Sequence, residues 1–95
     1  MTPPEERVAL IRTTLQKAFT PVELVVEDQS HLHAGHAGAA TGRGHFRVEI
    51  VAETFAGQPL IARHRRIYEA LGELMLTDIH ALSLRARAPG EAAGA

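Results

Sequence analysis

Three of the chain's six histidines crowd into His31-Leu32-His33-Ala34-Gly35-His36. Imidazole is the commonest side-chain ligand for transition metals and titrates near neutral pH, so three of them on one loop can converge on a metal. The spacing His31-x-His33-x-x-His36 matches no standard zinc arrangement, and histidine motifs normally use helical or fixed spacings. The plainer account is a set of solvated polar residues in a glycine-rich loop, and spacing alone leaves both open. His80 is a fourth candidate. It opens a strand in phase with Leu82, Leu84 and Ala86, which predicts a ring on the packed side at the strand's end. Its ordinary role there is a histidine satisfied at the edge of the core. If the histidine loop folds back to that end, His80 and a loop histidine can share a metal.

A second cluster is Arg63-His64-Arg65-Arg66. The spacing of His64 to Leu60 and Ile67 puts it on the buried face of a helix, with the arginines projecting outward. Such a face is usually just solvated; the sharper reading is a phosphate or carboxylate site, which guanidinium groups grip with paired hydrogen bonds. His45 falls on the outward face of a strand. Enzyme signatures are missing: there is no glycine-rich phosphate loop and no nucleophile elbow. Ser30 and His31 are adjacent, a spacing that seldom gives a working hydroxyl–imidazole pair, and no acid is placed to orient the ring. The chain is expected not to be an enzyme.

The elements that must carry these residues are readable in outline. Thr2-Pro3-Pro4-Glu5 is a helix start, and Val8, Ile11, Leu15 and Phe19 recur at helical spacing until Pro21 forbids continuation through Thr20. Val22 to Glu27 is a strand, with Val22, Leu24 and Val26 on one face. Periodicity then vanishes from Gln29 to Gly44, a length that in a compact domain is usually functional or mobile. Phe46, Val48, Ile50 and Ala52 alternate with His45, Arg47 and Glu49 in a second strand. Phe55-Ala56-Gly57-Gln58-Pro59 is a turn. A helix follows from about Leu60 to Met75, with Leu60, His64, Ile67, Leu71 and Leu74 as its inner face. Ile79 to Arg87 is a third strand, ended by Pro89-Gly90. The order α-β-β-α-β implies an α+β, two-layer domain. An antiparallel hairpin and a βαβ crossover build a mixed three-stranded sheet with both helices on one face.

With 95 residues, one domain over 1–90 and a frayed tail over 91–95 are expected. The absence of cysteine excludes disulfides, zinc–thiolate sites and a cysteine nucleophile. It also excludes an iron–sulfur cluster held by thiolates of this chain alone. A formal net charge of −1 gives no global attraction to nucleic acid. No apolar run is long enough to span a bilayer, and the N-terminus lacks the basic start and apolar stretch of a signal peptide. A cytoplasmic location is expected.

Taken in order, Val26 to His36, Gly44-His45-Phe46-Arg47-Val48, Phe55-Ala56-Gly57, Arg63 to Tyr68 and Ile79 to Leu84 resemble the BolA family. Each stretch alone is weak, but together, with fitting gaps from about Val8 to Pro89, they are specific. The resemblance implies a fold like the class II KH domain, in agreement with the element order, and a small extra helix near Gly57. It implies a monothiol glutaredoxin of the Cys-Gly-Phe-Ser type as partner, and a [2Fe-2S] cluster bridged between the two proteins. In such pairs the glutaredoxin cysteine and a glutathione thiol hold one iron, and the BolA-like chain contributes to the other. The family's C-terminal histidine falls on His80. Its loop ligand aligns best with His33, with His36 and His31 as alternatives in a longer loop. Imidazole in place of thiolate raises a cluster's potential, and ligation weakens as protonation competes. His80→Ala should therefore destabilise the bridged cluster without unfolding the domain.

The surface carrying Arg63, His64, Arg65, Arg66 and Tyr68 is the expected partner face. The alternative is a DNA-binding transcriptional regulator using that arginine-rich helix, since some family members are described as regulators. KH domains clamp nucleic acid with a Gly-x-x-Gly loop, whereas Gly57-Gln58-Pro59-Leu60 lacks the second glycine. Alone, the chain is expected to be a monomer or weak homodimer.

Overall fold

A computed structural model describes residues 3–33 and 43–92. Helix α1 (Pro4–Phe19) is followed by strand β1 (Glu23–Asp28) and a 3-10 turn (Ser30–His33). Strand β2 (Gly44–Val51) leads to a second 3-10 turn (Glu53–Phe55). Helices α2 (Leu60–Leu71) and α3 (Leu74–Thr77) and strand β3 (Ile79–Arg87) complete the chain. The sheet has the order β1-β2-β3. β1 pairs antiparallel with β2, and β2 pairs parallel with β3 across the helical connection. This is the expected α+β architecture.

The core forms where the apolar faces meet. Ile11 and Leu15 of α1 and Ile67 and Leu71 of α2 pack on Val26, Phe46, Val48, Ile50 and Ala86 of the sheet, with Phe55 closing one side. α1 ends as Pro21 requires, but Thr20 does so in the left-handed region (φ 46°), its N–H donating to the Gln16 carbonyl. The long second helix is in fact two. Gly72 takes φ 52°, and its N–H caps the Tyr68 carbonyl. A positive φ costs glycine little, so α2 stops at Leu71 and the chain turns into α3. The small extra helix near Gly57 is the 3-10 turn Glu53–Phe55.

Two ion pairs tie the layers together. Arg7 of α1 reaches Asp78, just before β3, at 3.0 Å, with side chains 5% and 3% exposed. Arg63 of α2 is 6% exposed. It donates to the carbonyls of Gln58 and Ala86 and, through both terminal nitrogens, to Glu91 at 2.6 and 2.8 Å. Glu91, the first residue of the expected tail, is therefore fastened; it also accepts the Ala88 N–H. These bonds, led by those from Arg63, hold its carboxyl at about 2, below the ordinary 4.5. A carboxyl lowered by folding stabilises fully above its unfolded value and progressively less as pH falls toward its folded one. Wild type should therefore lose stability between pH 4.5 and about 2 more steeply than Glu91→Gln. Chemical denaturation across that window checks this; parallel curves would mean the clamp contributes nothing.

At the outer edge of β1, Arg12 of α1 donates to the Leu24 carbonyl at 3.2 Å. Among the described residues, no helix is long and apolar enough to cross a membrane.

Candidate functional site

The sheet's open face is built by alternation. With Phe46, Val48 and Ile50 turned to the helices, His45, Arg47 and Glu49 of β2 must face the other way, and the observed burial follows that pattern. Charges on this face pair within and between strands: Arg47 contacts Glu49 on its own strand and Glu27 on β1, and Arg87 of β3 contacts Glu23 of β1. The Glu27 carboxyl is lowered, first by the Gln29 amide and then by Arg47.

At one end of this face the backbone of His45 is held from both sides. Its carbonyl accepts the Gln29 N–H at 2.8 Å, and its N–H donates to Ser30 Oγ at 3.1 Å. The Ser30 N–H in turn donates to Asp28 Oδ1. The Ser30 hydroxyl thus serves the base of the histidine loop rather than His31. Gly44 makes this approach possible: a Cβ there would lie 2.6 Å from Ser30 Oγ and 2.9 Å from the Phe46 ring. The Gly44 N–H donates to the Asp78 carbonyl at 2.9 Å, joining the start of β2 to the start of β3.

His80 lies beside this knot, on a different face from the one its phase predicts. The β2–β3 register shifts between Gly44, paired with Ile79, and His45, paired with Ala81. His80 is the extra residue. A bulge reverses the alternation around it, so Ile79 is fully buried and His80 is exposed. Its ring packs against His45, centroids 5.2 Å apart and planes tilted by 50°. An Arg43 terminal nitrogen lies 3.4 Å from His80 Nδ1. His31 is exposed in the 3-10 turn. The backbone of His33 closes that turn, but its side chain, like the whole of His36, lies outside what is described. Among the described residues no three His, Asp or Glu side chains gather as a metal site. Sequence reasoning missed His45, although its alternation with Phe46 already placed it on the open face.

The α2 surface divides unevenly. Arg65 and Tyr68 are exposed, and His64 is half-buried. Arg66 is half-buried, with its guanidinium 5.9 Å from the Phe19 ring centre. Arg63 does not project outward. It shares the inner stripe with Ile67 and Leu71 because four-residue steps bring it there. Leu60, expected inside, is exposed, as is Ile61 at 70%. Gly57 has φ 76° and opens the turn before α2.

The BolA-like protein family model matches residues 15–91. The chain belongs to the BolA-like family. It is 46% identical over 90 residues to the chloroplastic BOLA1 of Arabidopsis thaliana, covering 92% of this chain and 56% of that protein. The solved structure of the Arabidopsis BolA1 superposes with a TM-score of 0.78 at 45% identity, covering 90% of this chain and 95% of that one. The Arabidopsis SufE-like protein 1 is 46% identical over 86 residues, 85% of this chain and 23% of that protein. The Escherichia coli DNA-binding transcriptional regulator BolA is 42% identical over 74 residues, 78% of this chain and 68% of that protein. The BolA-like chain thus spans little more than half of one Arabidopsis relative and under a quarter of the other.

The donor chemistry suits half of a cluster site. This BolA-like chain has imidazoles and no thiol. Two imidazoles can complete one iron of a [2Fe-2S] centre when thiolates hold the other.

Proposed function

We propose that the chain is an adaptor that pairs with a monothiol glutaredoxin and supplies histidine ligands to a bridging [2Fe-2S] cluster, in cluster trafficking or iron regulation. The observation that carries this reading is the exposed His80, turned out of the core by a bulge at the base of the histidine loop. A histidine meant only for packing gains nothing from that turn. His80 and His33 are the ligands in this reading, with His36 or His31 as the loop alternatives. The cluster supplies the electron-accepting iron; the chain presents the His80 imidazole at the start of β3. The partner's cysteine and glutathione bring the thiolates that this chain lacks. Arg65 and Tyr68, with Leu60 and Ile61 beside them, form the exposed part of the partner face.

The test is to mix the chain with a monothiol glutaredoxin, glutathione, iron and sulfide without oxygen, and to record visible absorption and circular dichroism. A spectrum distinct from that of glutaredoxin alone is expected, carried by a complex on a sizing column. An unchanged spectrum with no complex would sink the adaptor reading. The Escherichia coli relative, a DNA-binding regulator by name, supports the second reading, in which Arg65 and Arg66 contact phosphates. DNA affinity falling steeply with salt would mark it.

A further inference from the structure

We propose that His45 and His80 form a two-imidazole site for a single divalent transition-metal ion, held by this chain without a partner or a cluster. The inference goes beyond the adaptor reading and stands without it. It rests on the 5.2 Å between the ring centroids. A zinc–nitrogen bond is about 2.0–2.1 Å, and the ligating nitrogen lies about 1.1 Å from the ring centre, so two imidazoles on one tetrahedral ion have centres about 5.1 Å apart. The pair already has that separation. The 50° tilt between the planes also departs from a flat stack.

Backbone rigidity adds to the case. His45 is pinned by Gln29 and Ser30, and β3 is tied to β2 by the Gly44–Asp78 bond. Little ordering remains to be done when an ion arrives, which favours binding. Borderline-soft ions that accept imidazole suit the site: Zn2+, Ni2+ and Cu2+. Two protein ligands leave further positions to water, so the ion is exchangeable. Arg43 bears on the site in the opposite sense. Its guanidinium lies 3.4 Å from His80 Nδ1, setting a positive charge beside a ring that would bind a cation. Arg43→Gln should therefore tighten metal binding.

The experiment is a Zn2+ titration of the full chain followed by imidazole nitrogen chemical shifts in NMR, with no glutaredoxin present. The His45 and His80 rings are expected to shift together and to saturate at one equivalent. His45→Asn and His80→Ala should each weaken binding by more than roughly tenfold, since losing even an outer-shell partner costs that much. Replacing His31, His33 and His36 together by Ala should leave the His45 and His80 shifts in place. Zn2+ that moves the loop histidines and leaves the His45 ring unmoved would overturn the proposal, as would no binding at all. The wild-type titration decides this even if a variant fails to fold. A chain that binds Zn2+ through this pair yet gives no bridged cluster would sustain this site and remove the adaptor reading.

Discussion

Asp78→Ala is expected to destabilise the domain by about 3–5 kcal/mol, the usual result of removing one member of a buried ion pair. The Arg7 guanidinium would keep its burial and lose the carboxylate that balances it. Its position is already demanding, because Arg7 Nη2 is buried with no hydrogen-bond partner among the described residues. The Asp78 carboxylate also accepts the Thr77 hydroxyl at 2.5 Å, so the turn into β3 loses a second tie. A domain of this size has about 5–15 kcal/mol in all, so this variant should be near the limit of folding at physiological temperature. Arg7→Met combined with Asp78→Leu should recover much of the loss, because apolar side chains of similar volume often replace a buried pair without penalty. Urea denaturation of the three proteins measures this. An Asp78→Ala variant as stable as wild type would show that the pair stabilises nothing.

Two residues further on, the expected outcome inverts. His80→Ala should unfold at the wild-type midpoint to within about 0.5 kcal/mol, the usual range for exposed positions, and yet lose the glutaredoxin-dependent cluster spectrum. The ring is exposed, and among the described residues its polar contact is a 3.4 Å approach from Arg43, at the weak end of hydrogen bonding. Nothing in the core depends on it. A substitution that removes the spectrum while sparing the fold identifies a ligand. One that spares both, or damages both, removes His80 from that role.

The contrast between Asp78 and His80 also marks what the sequence makes legible. Strand alternation from Phe46 to Ala52 needs only a period of two, and it placed those side chains correctly. The same period put His80 on the packed side, because a bulge is a relation between two strands and leaves no trace in one. Arg63 was misplaced for a different reason. By residue type it belonged with Arg65 and Arg66, but steps of four tie it to Ile67 and Leu71, and that spacing was the available signal. Its partner Glu91 lies 28 residues away, beyond any local pattern. Gly72 did signal a helix end within the run assigned to one helix. The family likeness marked His80 as a ligand, whereas the nearness of His45 required the register of β2 and β3. Of the β1 face read as Val22, Leu24 and Val26, the last two turn inward as expected, whereas Val22 precedes the strand and is 61% exposed.

The bond from Arg12 to the Leu24 carbonyl has a meaning beyond helix docking. Gln29 faces His45 at the head of the hairpin, its N–H donating to the His45 carbonyl. In an antiparallel ladder positions bonded in this way recur at every second residue, so Glu27, Val25 and Glu23 turn their backbones toward β2. Leu24 and Val26 turn theirs outward, to an edge that no other strand covers among the described residues. An open edge of this kind is a template on which another chain can add a strand. Arg12 takes up one of its acceptors and leaves a charge beside it, while Glu23 and Glu27 flank the same stretch. The guanidinium thus occupies a backbone acceptor that an added strand would need, and its removal would free that acceptor on a strand that includes the exposed Val25.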